Sequence, residues 1–483
     1  MDVGTIDLGL AGWGAAAVYL VGFATAIDAV MRTRTPQGAT AWVFALATIP
    51  LVAVPLYFVL GRSRFGDYID ALEDFDVEIA DALETAESGS LTPFLADVPQ
   101  EGRGAGEMRA FDKMATMPFT KGNRIELLID GEQTFDAIFA GIDHAEHYVL
   151  AQFYTVHDDR IGTAFKEKLI AAAGRGVEVR FMYDSIGSLG LGRRYKRDLE
   201  DAGVTVCAFT GPRNWLKKLR LNFRNHRKIV VVDGTKAYVG GLNVGDEYLG
   251  RNPAIGNWRD THLEVGGPLV QGLQLSFARD WFYGTRDELD GLEWTPTAAA
   301  SDMTALVLAS GPADALETCG LLYAHTIESA EERIWIATPY FVPDGRVLGA
   351  LQLAALRGVD VRILMPRTSD SILFKYVPYA YLEEITRAGV RVFLYEDGFM
   401  HQKVAVVDDD FVTIGTANFD NRSFRLNFEV TVVARDEGLC HDVSEMLGRD
   451  LEDATEIGLE AIQDKPFLFR LAANGTRLLA PVL

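Results

Sequence analysis

The sequence predicts an α/β protein with two similar halves, each a mixed sheet flanked by helices, preceded by a two-helix transmembrane hairpin. Three observations predict this: two apolar stretches near the start, strand and helix patterns that alternate twice, and one motif that occurs in both halves. The 483 residues are enough for about three domains. The predicted division is a hairpin over 1–64, a helix and linker over 65–110, and halves over 111–295 and 296–483.

The two apolar stretches, 8–27 and 41–60, are each about twenty residues long and essentially uncharged. Because an apolar helix of about 20 residues crosses a bilayer core, we interpret them as a transmembrane hairpin. Pro50 and Pro55 should kink the second helix. No Lys or Arg precedes the first stretch, which argues against a cleaved signal peptide. Basic residues are balanced on the two sides of the second stretch and leave the orientation open; a buried helix pair in a soluble protein is the alternative.

The segment 67–87 is strongly acidic, with apolar residues at helical spacing. These are Ile69, Leu72, Phe75, Ile79 and Leu83. The spacing predicts a short amphipathic helix whose acidic face anionic headgroups repel, or alternatively a solvated spacer. Residues 88–107, rich in Gly, Pro and Ser, then form a linker.

Strand and helix patterns repeat between the halves. The segment RGVEVRFMYD from Arg175 matches RGVDVRILMP from Arg357, each an apolar strand after a Gly that ends a helix. Similarly, LEDAGVTVCAF from Leu199 matches EITRAGVRVFLY from Glu384. Strands that alternate with helices twice over indicate two α/β halves that meet at a pseudo-twofold axis.

The most specific repeat is HRKIVVVDGTKAYVGGLN, from His226, and HQKVAVVDDDFVTIGTAN, from His401. Both contain His-x-Lys, four residues, Asp and, after six more residues, Gly-x-x-Asn. The apolar runs after each lysine predict buried strands, on which side chains alternate between the faces. The His-x-Lys pairs, which include Lys228 and Lys403, should therefore project to one side.

Asp233 and Asp408 fall on the opposite parity, so we expect these motif residues to end the strand and hold the turn. Gly240 and Gly415 lack a side chain, which suits a backbone that lies very close to a neighbouring group. Asn243 and Asn418 supply amide donors near them. Two His, two Lys and two Asn together would form a compact, positive pocket for a phosphate.

A carboxylate follows each Gly-x-x-Asn in a strand-like run, Asp260 in NWRDTHLEV and Glu429 in NFEVTVVAR. We expect each to accept a hydrogen bond from one active histidine and to set its tautomer; a surface salt bridge is the alternative.

The first half also carries an insertion between Gly203 and His226, basic and apolar, with no acidic residue in its basic part. Such a loop suits an anionic lipid surface, and a solvated basic loop is the alternative.

Composition excludes some functions. The net charge of −22 argues against nonspecific nucleic-acid binding, because a polyanion would be repelled. Cys207, Cys319 and Cys440 form no CxxC and suggest neither a disulfide framework nor a zinc site. The sequence suggests no metal or other cofactor.

The two HxKxxxxD motifs resemble those of the phospholipase D superfamily. The segments ATPYFVPD, YEDGFMHQKVAVVD, GTANFDNRSFRLNFE and the N-terminal RTPQGATAWVFALATIPLVAVPLYFVLGR resemble the bacterial cardiolipin synthases of that superfamily. The resemblance covers nearly the whole chain. It implies two phospholipase D-like halves and the transfer of a phosphatidyl group between two phosphatidylglycerol molecules, giving cardiolipin and glycerol.

The resemblance also implies site residues, partners and location. The implied catalytic residues are His226, Lys228, Asp233, His401, Lys403 and Asp408. By analogy, His226 is the nucleophile of a phosphatidyl-histidine intermediate, His401 is the acid, and Asn243 and Asn418 bind substrate. The implied partners are phosphatidylglycerol, cardiolipin and the bilayer, in the bacterial cytoplasmic membrane, multi-pass, with a cytoplasmic catalytic portion. A membrane-anchored phospholipase D hydrolase and a non-catalytic lipid-binding protein are the alternatives.

Overall fold

A computed structural model gives the fold. It describes residues 4–33, 35–61, 65, 68–75, 91–99, 105–209, 223–253, 255–287, 289–369 and 371–482.

The strands of the described residues fall into two runs of similar order. The first run comprises β1 (Thr120–Ile129), β2 (Tyr148–Phe153), β3 (Glu178–Asp184), β4 (Thr205–Phe209), β5 (Arg224–Asn225), β6 (Ile229–Val232), β7 (Lys236–Gly240), β8 (Trp258–Arg259) and β9 (Thr261–Gly266). The second comprises β10 (Met303–Ser310), β11 (Arg333–Ala337), β12 (Phe341–Val342), β13 (Asp360–Pro366), β14 (Arg391–Tyr395), β15 (Phe399–Met400), β16 (Val404–Val407), β17 (Phe411–Gly415), β18 (Phe419–Asp420), β19 (Asn427–Arg435) and β20 (Ala454–Ile457).

One large mixed sheet passes through both halves. Its order is β4-β3-β2-β6-β7-β9-β1 from one edge to the centre, and β10-β19-β17-β16-β11-β13-β14 from the centre onward, with β20 beyond. Equivalent strands occupy equivalent places on either side of the antiparallel β1–β10 pair. The predicted α/β class with a mixed sheet is therefore confirmed, and the sheet has pseudo-twofold symmetry about this pair.

Helices flank the sheet, and those before residue 57 pack on one another. In the described residues they span Gly4–Arg32, Pro36–Thr48, Pro50–Leu56, Ala105–Met114, Asp130–His144, Arg160–Gly174, Arg193–Asp201, Leu269–Thr285, Thr318–Glu328, Gly345–Leu356, Ile372–Tyr376, Tyr379–Ala388, Asn421–Arg425, Glu437–Glu452, Leu459–Gln463 and Phe467–Thr476. Side-chain caps begin several of them: Asp159, for example, accepts a hydrogen bond from the Gly162 N–H at 2.9 Å, which satisfies a donor that the first helical turn leaves open.

Among the residues that the structure describes, one helix is long and apolar enough to cross a membrane, Trp13–Arg32, with a mean hydropathy of 1.7. The second apolar stretch is not one continuous helix. Its first helix ends at Thr48, Ile49 has φ −133° and ψ 55°, and a new helix begins at Pro50. The break is larger than the predicted kink because proline disfavours helical geometry at the preceding residue and lacks an N–H to continue the ladder.

The start of the acidic segment packs into the protein core. Residues 68–75 are helical, and Tyr68, Ala71 and Phe75 are buried along one side. Phe65, just before them, stacks on Phe223 with ring centroids 4.9 Å apart. The segment is thus neither a solvated spacer nor a free amphipathic helix over these residues, and 76–87 lie outside the described residues. We call residues 65 and 68–75 the core-inserted segment.

Candidate active site

Both motif histidines lie where a short strand of one half joins the other half. Strand β5 pairs in parallel with β19, and the His226 N–H continues this pairing by donating to the Phe428 carbonyl at 2.9 Å. Strand β15 pairs in parallel with β8, and the His401 N–H donates to the Arg259 carbonyl at 2.8 Å. Each histidine is therefore fixed by backbone hydrogen bonds to the opposite half.

Each imidazole is hydrogen-bonded to a carboxylate of the opposite half. The Nδ1 of His226 lies 2.9 Å from Glu429 Oε2, and the Nδ1 of His401 lies 2.7 Å from Asp260 Oδ2. All four side chains are buried. A carboxylate at Nδ1 favours the tautomer with the proton on Nδ1, which leaves the Nε2 lone pair for chemistry. The sequence did not indicate that the pairs would cross between the halves.

Glu429 is held by polar side chains of its own half. Its carboxylate accepts hydrogen bonds from Thr416 Oγ1 at 2.6 Å, Ser423 Oγ at 2.9 Å and Asn427 Nδ2 at 3.1 Å. Burial raises the pKa of Glu429, but the interactions with His226, with the charge of Lys228 and with the Thr416 hydroxyl outweigh it and hold the pKa below its ordinary value. Glu429 is therefore a rigid, ionised partner.

Asp260 is held differently. Its Oδ1 accepts the Thr261 N–H at 2.8 Å, and burial raises its pKa, opposed by the charge of Lys403. Gly241, the counterpart of Thr416, gives this carboxylate its space, since a Cβ at position 241 would lie 2.0 Å from Asp260 Oδ1. The two histidines thus have different carboxylate partners, Glu429 and Asp260, although the strands that carry them are arranged alike.

Both motif lysines are buried beside the histidines. Lys228 Nζ donates to the His226 carbonyl at 2.6 Å. Lys403 Nζ contacts the His401 carbonyl and lies 3.0 Å from His401 Nδ1. Burial lowers the pKa of Lys228 to about 7, against the opposing charge of Glu429. Burial of the lysine ammonium groups costs solvation free energy, and a bound anion would offset that cost.

The same burial depresses the pKa of both histidines. It lowers the pKa of His226 to about 4, opposed by Glu429 and assisted by Lys228. The pKa of His401 lies well below its ordinary value because of burial and the charges of Lys403, Lys228 and His226. These groups therefore act on one another across the two halves, and a negatively charged ligand would favour protonation of either ring.

The two asparagines differ in their contacts. Asn243 bridges two groups of its own half: its Oδ1 accepts the Thr155 N–H at 3.0 Å, and its Nδ2 donates to the Tyr248 hydroxyl at 2.7 Å. Asn418 is also buried, and its Oδ1 lacks a hydrogen-bond partner within the part of the chain that the structure describes. Binding of substrate by these amides stays a prediction, and Asn243 would have to exchange its present partners to do so.

The motif aspartates lie at the ends of β6 and β16 remote from the histidines. Asp233 has φ 52° and accepts the N–H groups of residues 146–148, and Asp408 has φ 49° and accepts those of 331–333. Each carboxylate thus holds a turn to the start of the neighbouring strand, β2 or β11. A direct catalytic role, which the motif alone suggested, does not suit this position.

The motif glycines let adjacent strands pass closely. A Cβ at Gly240 would lie 2.5 Å from His262 Cα, and one at Gly415 would lie 2.2 Å from the Val430 carbonyl oxygen. The close approach expected at these positions is therefore to β9, which follows Asp260, and to β19, which contains Glu429.

Aromatic rings surround the histidines, and the sequence interpretation missed them. Tyr154 lies edge-on to His226 with ring centroids 4.9 Å apart, while Trp258 and Tyr248 lie 5.1 and 6.1 Å from His401. Thr416 and Ser423 were also missed. The signal available for them was their place beside motif residues, in GTAN and NRSF.

A buried carboxylate, Asp280, fixes the residues on both sides of His226. It accepts hydrogen bonds from Asn225 Nδ2 at 2.7 Å and Arg227 Nη1 at 2.8 Å, and also from Gln152 Nε2 and the Tyr68 hydroxyl, each at 2.7 Å. Arg227 donates further to the Glu429 carbonyl at 3.1 Å. The core-inserted segment is thus connected through Asp280 to the backbone that carries His226.

Metal-binding side chains group together away from the histidines. Among the described residues, His157, Asp159 and Glu247 offer ligand atoms within 4.8 Å of one another. His157 Nδ1 lies 3.2 Å from Glu247 Oε1, and Asp159 caps a helix, so these contacts account for the group without an ion. The predicted basic insertion lies, over 210–222, outside the described residues.

Comparisons with known proteins show the family of the chain. A family profile described as "Cardiolipin synthase, PLD-like domain" matches residues 138–281 and 323–451. Cardiolipin synthase A of Pseudomonas putida is 43% identical over 468 residues, covering 96% of this chain and 97% of that protein. Cardiolipin synthase A of Pseudomonas syringae is 44% identical over 470 residues, covering 96% and 97%.

Solved structures show the same fold. A phosphatidylserine synthase from Haemophilus influenzae superposes with a TM-score of 0.56 at 14% identity, covering 74% of this chain and 95% of that one. With the family match in both halves and relatives similar over nearly the full length, the chain belongs to the phospholipase D-like cardiolipin synthase family.

Proposed function

We propose that the protein transfers a phosphatidyl group from one phosphatidylglycerol to a hydroxyl of another, giving cardiolipin and glycerol. The observation that carries this proposal is the crossed pair of histidines, each with Nδ1 on a carboxylate of the opposite half and each beside a buried lysine. The relatives named above are cardiolipin synthases, which supports the same reaction here.

In the first step, Nε2 of His226 attacks the phosphodiester phosphorus. The P–N bond forms as the bond to the glycerol oxygen breaks, and His401 gives that oxygen a proton. In the second step, the hydroxyl of another phosphatidylglycerol attacks the phosphorus, His401 takes its proton, and the P–N bond breaks. Both histidines end the cycle in the protonation state in which they began, so the enzyme returns to its starting state.

The unlike partners of the histidines suit these roles. Attack by His226 makes its ring cationic, and the ionised, firmly held Glu429 stabilises that charge. The ammonium of Lys403 next to His401 Nδ1 makes a protonated His401 the stronger acid, which suits proton donation to a leaving oxygen. The negative charge of the lipid phosphate would favour protonation of His401 once substrate binds.

Lys228 and Lys403 would neutralise the phosphoryl oxygens during displacement. The burial of both lysines makes this interaction stronger than it would be in water. Burial of the histidines among Tyr154, Tyr248 and Trp258 also supports transfer over hydrolysis, because a site with little water favours a lipid hydroxyl as second nucleophile.

The product from phosphatidylglycerol vesicles tests the reaction. Purified full-length protein should form cardiolipin and glycerol, measured by mass spectrometry, and His226→Ala and His401→Ala should form neither. The exposed His441 gives a matched control, since His441→Ala should retain activity. Phosphatidic acid as the main product would instead indicate a hydrolase, and lipid binding without turnover would indicate a binding protein.

Trapping of the intermediate tests the order of the histidines. A brief reaction quenched in base should leave a phosphorylated peptide that contains His226. A modified peptide at His401 with none at His226 would reverse the two roles.

For the membrane, we propose a two-helix hairpin in the bacterial cytoplasmic membrane, with the catalytic portion in the cytoplasm. Packing of Pro36–Leu56 against the first helix supports the hairpin: Ala29, Leu46 and Tyr57 are buried together, and the Tyr57 hydroxyl donates to Asp28 at 2.9 Å. A membrane-impermeant thiol reagent on intact cells should label Gln37→Cys, at the start of helix Pro36–Thr48, and leave Asn474→Cys unlabelled until the cells are permeabilised. The opposite labelling would reverse the orientation.

A further inference from the structure

The C-terminal part of the chain exposes apolar side chains on one surface. Its helix Phe467–Thr476 and the 3-10 helix Arg477–Val482 carry Leu468, 75% exposed, and Leu478, 83% exposed. The adjacent helix Ile372–Tyr376 adds Ile372, 80% exposed. The exposed apolar side chains of this surface, which we call the C-terminal patch, are Ile372, Phe467, Leu468, Leu471, Leu478 and Leu479.

The two helices of the patch are packed together and form one continuous surface. The ring of Phe469 lies 5.1 Å from that of Tyr376 and 5.0 Å from that of Tyr379. Phe469 therefore faces inward, while its neighbour Leu468 faces out. The exposure of the leucines is thus a property of a packed element and not of a loose end.

The elements that carry the leucines of the patch hold basic and no acidic side chains, and Glu383 of the neighbouring helix lies near Arg470. From residue 465 to the C-terminus the sequence carries Lys465, Arg470 and Arg477 and no acidic residue, in a chain whose net charge is −22. Lys465 Nζ lies 5.2 Å above the Tyr379 ring, and the Arg477 guanidinium lies 4.8 Å above that of Tyr381. The cationic groups of both side chains thus lie over aromatic rings, which holds positive charge beside the exposed leucines.

The patch is connected to the active-site side of the second half. Phe374, on the same short helix as Ile372, stacks on Tyr340 with ring centroids 4.0 Å apart. Tyr340 packs against a buried cluster that includes Trp258, whose ring lies 5.1 Å from His401. The patch therefore lies two aromatic contacts from the surroundings of the catalytic histidine.

The remote end of the same strands is acidic. Strand β16 begins at Val404, three residues after His401, and ends at Val407, after which Asp408, Asp409 and Asp410 follow. Asp436 and Glu437 line the same depression as Asp409 and Asp410. An anionic membrane would attract the basic, apolar side of this half and repel its acidic end.

We propose that the C-terminal patch docks into the headgroup region of a bilayer that contains anionic phospholipid, so that the active-site side of the second half faces the membrane. The mixture of exposed leucines and basic side chains is the chemistry that such a surface recognises. This contact is separate from the N-terminal helix, which could hold the chain at a membrane without orienting the second half.

Site-specific fluorescence tests the docking without depending on turnover. The full-length protein, one copy per lipid nanodisc, would carry Leu468→Cys labelled with an environment-sensitive dye. The native cysteines are buried, so the label should go to the new thiol. We expect a blue-shifted emission that brominated phospholipid quenches, more strongly as the share of phosphatidylglycerol rises.

The exposed Asp409 gives the control, since a dye on Asp409→Cys should stay accessible to aqueous iodide and insensitive to brominated lipid. Equal iodide access at positions 468 and 409 would overturn the proposal. Protection of position 468 that appears only when discs hold two copies would also overturn it and indicate self-association.

Substitution of the patch gives a second readout. The combined variant Leu468→Ser, Leu471→Ser and Leu478→Ser should raise the lipid concentration at half-maximal rate in dilute phosphatidylglycerol vesicles by about tenfold. Its kcat with monomeric short-chain phosphatidylglycerol should be unchanged. The matched control is Leu316→Ser, at an exposed leucine outside the patch. If both variants reach half-maximal rate on vesicles at the same lipid concentration, the result would contradict docking, even if both remain active.

Discussion

The hydroxyl of Tyr68 is expected to stabilise the catalytic core from outside the motif regions. Tyr68 lies in the core-inserted segment, is buried, and donates to Asp280 Oδ1 at 2.7 Å. Burial first, and then the charge of Asp280, hold the pKa of Tyr68 well above its usual range, so the hydroxyl keeps its proton at working pH. The change Tyr68→Phe removes this donor and keeps the ring that packs on Phe428 at 4.5 Å.

The expected change in the free energy of unfolding follows from the hydrogen bond that Asp280 loses. A hydrogen bond to a charged acceptor contributes about 1.5–3 kcal/mol, so Tyr68→Phe should lower the free energy of unfolding by about that amount. Asp280 would still accept from Arg227, Asn225 and Gln152. Asp280→Asn should cost more, about 3–5 kcal/mol, because it leaves the buried Arg227 guanidinium without its counter-charge.

Unfolding by urea in detergent micelles, followed by tryptophan fluorescence, measures both variants. Tyr68→Phe should lower kcat with little change in KM. The residues beside His226 become less firmly held, while the lipid-binding surface stays intact. Tyr376→Phe, at a half-buried tyrosine remote from Asp280, is the control. An unchanged unfolding midpoint and unchanged kcat for Tyr68→Phe would refute the reasoning.

The remaining predictions concern the histidines and their partners. Glu429→Gln should lower kcat by about 10²- to 10⁴-fold with little change in KM, because His226 loses the carboxylate that orients it; steady-state kinetics check this, and near-normal kcat would exclude the role. The buried His226, with a folded pKa of about 4 against an ordinary 6.5, should make stability fall as pH drops from about 6.5 to about 4, since the unfolded chain binds the proton more readily. Urea unfolding of the parent and of His226→Gln across that range should show a shallower decline for the variant. Gly241→Thr should abolish activity, because its Cβ would lie 2.0 Å from Asp260 Oδ1 and displace the partner of His401; Thr416→Gly should keep part of the activity, and product assays on both variants compare them.

Local patterns in the sequence predicted the elements that depend on local physics. The apolar runs after Lys228 and Lys403 became the buried strands β6 and β16 because β-branched residues suit a buried sheet. Side-chain alternation also placed Asp233 and Asp408 away from the histidines, in turns. Spacing within one strand was sufficient for both inferences.

Features that depend on distant contacts could not be predicted in this way. That Glu429 serves His226 depends on β5 pairing with a strand about two hundred positions later, which no spacing reveals. Burial of Tyr68 was hidden because its acidic neighbours face solvent, and composition alone then indicates a spacer. Ile49 and Pro50 break a stretch that hydropathy treats as uniform, since hydropathy does not count backbone donors.

Because each histidine pairs with a carboxylate of the opposite half, the active site can form only when both halves of the polypeptide have been synthesised. A nascent chain that has emerged only as far as the first half contains His226 but lacks Glu429, and contains Asp260 but lacks His401. Two unfused copies of such a half, related by a twofold axis, could each supply the other's missing group, which is the logic of an isologous dimer. The duplicated chain thus holds within one polypeptide the kind of interface that such a dimer would form between two, and the site is complete only after β19, which carries Glu429, is in place.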